Sequence, residues 1–259
     1  MISKLYKFRS FDDLSLSENK HFTNNIILNS SLYFSAIKNF NDPFDCKLSF
    51  QQEYTLSKRE EYFSQLSDKN ASDFTLEQYL EKYPNNQSFI DLRNTIIEKF
   101  INKIGVLSLS TNPNKILMWS HYSSNHTGLV FQFTFKKNSK CFLRPLVVDY
   151  KDKYDLLSYT SDFKSEAPKL MLTKHSDWTY ESEVRIIDLD FQGEKKFKKH
   201  ELTSIIFGAL AKDDDIDKMM GLCKQNGFEH VKFSKAMLTP GEFSLKFREI
   251  LNSSTDAKP

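Results

Sequence analysis

Apolar and polar residues alternate along KLYKFR at 4–9, and a period of two predicts a first strand. A helix is expected after it, with Ser10 or Asp12 as N-cap. IILNSSLYFS at 26–35 is rich in strand formers around a central Asn-Ser-Ser and predicts a small hairpin. NDPFD at 41–45 sets Pro among Asx residues, which marks a turn. From about Thr55 to Ile104 the period becomes helical, with Tyr62, Phe63, Leu66, Tyr79, Leu80, Phe89 and Ile97 among interleaved charges.

GVLSLS at 105–110 predicts a strand, ILMWSHYS a short helix, and GLVFQFTF (128–135) with CFLRPLVVDY (141–150) a second hairpin. A helix is expected between Asp152 and His175, interrupted by Pro168, and WTYESEVRIIDLDF at 178–191 predicts a central strand. The last third reads as a strand at SIIFGA, a helix over DDDIDKMMGLCKQNG with a Gly C-cap, a strand at HVKFSKAML and a disordered tail at 253–259. These elements predict the α+β class: one domain over 1–252, a mixed and mainly antiparallel β core, and a helical insertion at 55–104.

Composition sharpens this picture in two places. The 23 Phe and 11 Tyr must supply much of the buried area, because hydrophobic residues make up only 39% of the 259. Lys and Arg total 36 against 34 Asp and Glu, so no long-range field recruits nucleic acid or an anionic membrane. Three widely spaced cysteines, Cys46, Cys141 and Cys223, fit reduced thiols of a cytoplasmic protein rather than a disulfide framework or a zinc site. No run is apolar enough for a signal peptide or a membrane span, and the expectation is a protein without a membrane partner.

Candidate chemistry collects in a few polar clusters. In YESEVRI a strand would put Glu181, Glu183 and Arg185 on one face, either as an exposed ion-paired surface or as the lining of a cleft. Two carboxylates two residues apart repel, which raises one pKa and suits proton or cation-stabilising work. Ser108 and Ser110 share a face of their strand, where hydroxyls bond backbone or a ligand. Trp119, His121, Tyr122 and His126 fall within eight residues, but a spacing of five from His121 to His126 is wrong for a metal on one helical face, and no metal is expected. Those rings, with Tyr33, are candidates for an aromatic pocket. Arg9 ends the first strand, where its fork can grip a phosphate or carboxylate or make a surface ion pair. Asn41, Asp42 and Asp45 of the Asx-Pro turn are further candidates. There is no P-loop, GxSxG, HExxH or GxGxxG.

The ordered set LYKFRSF, LYFS with NFNDPFD, GVLSLS, LMWSHYSSNHTGLVFQF and W-x-YESEVR resembles a bacterial family, the domain of unknown function 2971, over about residues 5–210. A second likeness is to ADP-ribosyltransferases of the Arg, Ser-Thr-Ser, Glu-x-Glu type. Arg9, the Ser108-Leu109-Ser110-Thr111 run and Glu181-Ser182-Glu183 occur in that order, with Leu109 where that motif has Thr. The likeness implies a split sheet and NAD as substrate. Arg9 would clamp the phosphates, and Ser108 and Ser110 would support the nicotinamide ribose. Glu183 would hold the ribose hydroxyl and stabilise the oxocarbenium ion, with Glu181 activating an acceptor macromolecule. The expected function is therefore an NAD-consuming ADP-ribosyltransferase or NAD hydrolase, of a kind used as a toxin-like or phage-defence effector. The alternatives are a non-catalytic module that binds a nucleotide or small signal, and a metal-dependent nuclease using Asp42, Asp45, Glu181 and Glu183.

Overall fold

The computed structural model describes residues 4–12, 22–47, 49–51, 55–68, 74–135, 139, 141–142, 144–158 and 163–250. In chain order the elements are β1 (Lys4–Arg9), α1 (Asn24–Leu28), β2 (Ser31–Ala36), α2 (Leu56–Asp68), α3 (Leu76–Lys82), α4 (Asn86–Ile101), β3 (Gly105–Ser110), α5 (Ile116–Tyr122) and β4 (Leu129–Thr134). They continue with β5 (Leu146–Val147), β6 (Asp149–Lys151), α6 (Phe163–Leu170), β7 (Thr173–His175), β8 (Glu183–Asp188), β9 (Gly193–Lys196), β10 (Leu202–Phe207), α7 (Asp213–Gln225), β11 (Lys232–Leu238) and β12 (Leu245–Glu249). Helices and a mixed, mostly antiparallel sheet make this an α+β fold.

The sheet runs β12-β11-β10-β4-β1-β3-β2-β9, with β8 on β3 and β5 on β8. Its axis is β4, where Leu129, Val130, Phe131 and Phe133 have no exposed surface. Neighbouring residues of one strand point to opposite faces, so β4 is covered on both. On one face Leu5, Phe131, Phe133, Ile205 and Phe207 pack with Ile27 of α1 and Ile216 and Met219 of α7. On the other, Phe8, Val130, Ile206 and Ala236 pack against Trp119 of α5. The parallel pair β10 and β11 is joined through α7, a βαβ crossover within an otherwise antiparallel neighbourhood.

The insertion at 55–104 is three helices around Tyr62, Phe63 and Phe89. Thr75 and Asn85 start α3 and α4 with reciprocal capping boxes. Ile97 of α4 ties this layer to the body, packing with Ile104 and Val106.

Several expected elements fold otherwise. The hairpin at 26–35 is a helix followed by a strand: Ile26 and Ile27 are adjacent yet both buried, which a strand cannot do on one face but a helix can. Asp12 accepts from the Thr23 and Asn24 amides at 3.0 and 2.6 Å, so it caps α1, while the helix expected from Ser10 or Asp12 falls largely on residues 13–21, outside those described. The hairpin of 128–135 with 141–150 does not form, because β1 and β10 already occupy both edges of β4. Residues 146–147 pair with β8 instead, and 149–151 run parallel to β7. Pro168 lies inside α6 rather than between two pieces. The strand expected at 178–191 begins at Glu183; a 3-10 turn at Ser176–Glu181 precedes it, and Ser182 is left-handed at φ 45°. The edge strand β12 was not expected, and the tail at 253–259 lies outside the described residues.

The loop from α5 to β4 holds Ser124, Asn125 and His126 at φ 44°, 52° and 69°, three successive left-handed residues with side chains. Gly208 clamps it: its amide donates to Gly128 O at 2.8 Å, and the Leu210 amide to His126 O at 3.0 Å. A Cβ at position 208 would collide with the His126 carbonyl. Gly208→Ala is therefore expected to lower the unfolding free energy by roughly 1–3 kcal/mol, read from urea midpoints at constant slope.

Candidate functional site

The sheet forks at β3. On one edge β3 pairs with β8 along its full length, from Gly105↔Asp188 to Ser110↔Glu183. Its other edge is shared: Ser110 meets Tyr6 of β1, while Gly105 and Val106 meet Ala36 and Ser35 of β2. Beyond these pairs β1 goes with β4 and β2 with β9, leaving a gap whose apex is the middle of β3. Sheet edges in a gap expose unpaired backbone groups, and the Ser108 carbonyl takes its hydrogen bond from Lys7 Nζ at 2.8 Å. The gap is a cleft of about 460 Å³, within the range of small-molecule sites.

Arg9, Tyr33, Asn41, Asp45, Ser108, Ser110, Tyr122, Glu181 and Glu183 all line this cleft, four segments far apart in sequence. Four other candidates lie elsewhere. Trp119 is fully buried, set edge-on against Phe8 with Nε1 donating to Pro113 O at 2.7 Å, so it is core. His121 is exposed and rests on Tyr180 outside the cleft. Asp42 accepts from the Phe44 amide at 2.8 Å and lines an adjacent cavity of about 510 Å³. Arg185 lies behind the cleft wall with no exposed surface.

Arg185 is the centre of a buried ionic cluster. Its Nε and Nη2 grip Glu183 at 2.8 and 2.9 Å, Nη2 also meets Asp45 at 2.6 Å, and Nη1 donates to Met171 O at 2.6 Å. Beside it Lys174 Nζ contacts Glu181, Glu183 at 3.2 Å and Asp45 at 3.4 Å, and sits over the Trp178 ring. Lys174 and Lys7 escaped the sequence reading. Lys174 fell in a segment read as helix, and no local signal marked it; Lys7 could have been found, since strand alternation pairs it with Arg9.

The two glutamates differ sharply. Burial pushes the Glu183 carboxyl up, but the Arg185 charge and its hydrogen bonds, then Lys174 and the Ser108 hydroxyl, overcome this and hold it at about 2. Glu181 is raised: burial outweighs the help of Lys174 and of Tyr122, whose hydroxyl donates to Glu181 Oε1 at 2.5 Å. Burial raises Tyr122 as well, so it stays a neutral donor. The Glu181 backbone is pinned by Ser110 Oγ, which donates to its carbonyl at 2.7 Å. Ser110 thus supports the wall of the site. Among the described residues no group of three His, Cys, Asp or Glu side chains is arranged to hold a metal ion.

Lys174→Met leaves three buried carboxylates with one cation, and a loss of about 3–5 kcal/mol is expected in urea unfolding at neutral pH. Glu183 also sets an acid limit. Its folded pKa lies below its unfolded value, so its contribution is complete above about pH 4.3 and is lost as the pH falls toward about 2. The stability gap between wild type and Glu183→Gln should narrow through that window.

No curated protein and no solved structure matches this chain. Residues 118–186 match the model of a family described as a protein of unknown function, DUF2971. The matched segment runs from α5 into β8 and carries Tyr122, Lys174, Glu181, Glu183 and Arg185, while Lys7, Arg9 and Asp45 lie outside it. The resemblance to DUF2971 therefore covers Glu181 and Glu183 of the cleft wall and, of the ionic cluster behind it, all the named members but Asp45.

Proposed function

We propose that the forked cleft binds a nucleotide-type small molecule and breaks the bond between its ribose and a leaving base, with NAD as substrate, in an ADP-ribosyl transfer or NAD hydrolysis. The observation that carries this reading is that Arg9 and Glu181 line one cleft, a phosphate-binding fork facing a carboxylate of raised pKa. In this reading the bond from ribose C1′ to the nicotinamide nitrogen breaks with both electrons going to nitrogen, and neutral nicotinamide leaves. Positive charge grows on C1′ and the ring oxygen, where a preorganised carboxylate in a water-poor site stabilises it. Water or an acceptor nucleophile then bonds to C1′ and gives its proton to Glu181.

The roles of the two glutamates follow from their partners. Both Glu183 oxygens are taken by Arg185 and one also by Lys174, so Glu183 holds the cluster in place. Glu181 is held too, by Tyr122 on Oε1 and Lys174 on Oε2, but it has no arginine partner and its carboxyl is raised, so in this reading it is the one that meets the ligand, with Tyr122 beside it to hold a ribose hydroxyl. The arrangement speaks against a metal-dependent nuclease, because the Lys174 ammonium already sits among Asp45, Glu181 and Glu183 where a divalent cation would sit.

The test is titration with NAD while nicotinamide release is followed. Wild type should release nicotinamide, and Glu181→Gln should lose about 100-fold or more of that rate with binding retained. Arg9→Ala should mainly raise KM. Release that survives Glu181→Gln would overturn this assignment, and tight binding of NAD without turnover would point to the binding-module reading.

A further inference from the structure

Lys7 and Arg9 leave β1 two residues apart, so the pleat sends both to the same side, and both line the cleft. Among the described residues neither has a carboxylate within ion-pair distance. Among the described residues Lys7 Nζ donates to the neutral Ser108 carbonyl, and Arg9 Nε is buried with no hydrogen-bond partner. The nearby carboxylates have other hydrogen-bond partners: Glu183 has Arg185 and Lys174, Glu181 has Lys174 and Tyr122, and Asp12 accepts from two backbone amides, though its charge opposes the burial that lowers Arg9. Two enclosed cations side by side repel each other and have lost much of their water, an arrangement that an anion between them relieves.

We propose that Lys7 and Arg9 together form a seat for a diphosphate group, so that the cleft selects a nucleoside diphosphate over the nucleoside, and that filling the seat is coupled to proton uptake by Lys7. The first half rests on the nucleotide reading of the cleft, though not on bond cleavage. Arg9 supplies a planar fork and Lys7 a point charge, and together they offset more of the diphosphate charge than one cation would.

The proton coupling follows from the surroundings of Lys7. Burial first, then the Arg9 charge, pull its ammonium down to about 7, while Glu183 and Glu181 oppose this. Near neutral pH the empty cleft therefore holds Lys7 partly as a free amine, and a diphosphate beside it restores the charge. Of the other titratable groups on the cleft walls, burial raises Tyr122, the surrounding carboxylates overcome burial to raise Lys174, and both keep their form at neutral pH. Among the described residues Glu181 competes for the proton, because it too is raised and would respond to a new negative charge.

The experiment is isothermal titration calorimetry of the whole chain with ADP and with adenosine at pH 7.5, in two buffers of different ionisation enthalpy. Wild type should bind ADP at least about ten-fold more tightly than adenosine and take up more than about half a proton per ADP. Lys7→Met should lose about ten-fold or more in ADP affinity. Lys7→Arg, which keeps the charge, should hold most of that affinity and show no buffer dependence. Equal affinities for ADP and adenosine would overturn the seat, and uptake persisting in Lys7→Arg would move the proton to Glu181. A chain that binds ADP in this way yet leaves NAD intact keeps the seat and loses the cleavage reading. A chain that cleaves NAD while Lys7→Met binds ADP normally does the reverse.

Discussion

A guanidinium with no exposed surface must find acceptors for its donors inside the protein, and Arg185 does so by drawing three chain segments together. Glu183 lies two residues away on β8, Asp45 comes from the Asx-Pro turn at 41–45, and Met171 O from the end of α6. Each partner is needed because an unpaired buried charge costs several kcal/mol, far more than a lost surface contact. The turn, the strand and the connection leading to Lys174 are thereby fixed relative to one another. Cys46 belongs to the same knot: it takes Arg185 Nη1 at 3.0 Å, and burial pushes its thiol well above the usual range, so it serves as a neutral contact rather than a nucleophile.

The second constraint is the fork. A sheet that opens leaves backbone groups without partners, and such an opening is stable only where side chains or a ligand answer them. Lys7 answers the Ser108 carbonyl from one side, and the Ser108 hydroxyl turns to Glu183 on the other. Residues that a continuous sheet would bury thus become the walls of a cleft. The seryl pair of β3 has divided work: Ser108 faces the ionic cluster, while Ser110 holds the main chain of Glu181 and the amide of Asn112.

Where a signal was local, the sequence carried it. The alternation of KLYKFR and GVLSLS marks β1 and β3 to the residue, and ILMWSHYS marks α5, because those periodicities are satisfied by the sheet and its covering helix. Arg9, Ser108 and Glu183 could be singled out for the same reason, since each sits in or at the end of a strand whose period is readable. What the sequence did not carry was pairing. Nothing in 141–151 says that its residues join β8 and β7 rather than β4, and nothing near Lys174 says that its ammonium meets Glu181, seven residues on, across a 3-10 turn. Trp119 misled for the opposite reason: an aromatic beside polar residues reads as a pocket wall until the helix face is known, and its face is the core.

The two walls of the cleft carry opposite electrostatic character, and this polarity is itself an argument about orientation. On the β1 side are two cations without ion-pair partners among the described residues; across from them are Glu181 and Glu183, held by Lys174 and Arg185. The cluster behind that wall counts three carboxylates, Asp45, Glu181 and Glu183, against two cations, so one negative charge is left over when all are ionised. Glu183 is gripped by Arg185 through both oxygens and its carboxyl is held low, so the imbalance settles on Glu181, the member whose carboxyl burial has raised. On the proposed function, a ligand with an anionic end and an end that becomes cationic during reaction would therefore fit in one direction. Its anionic end would lie against Lys7 and Arg9, and its electron-poor centre against Glu181.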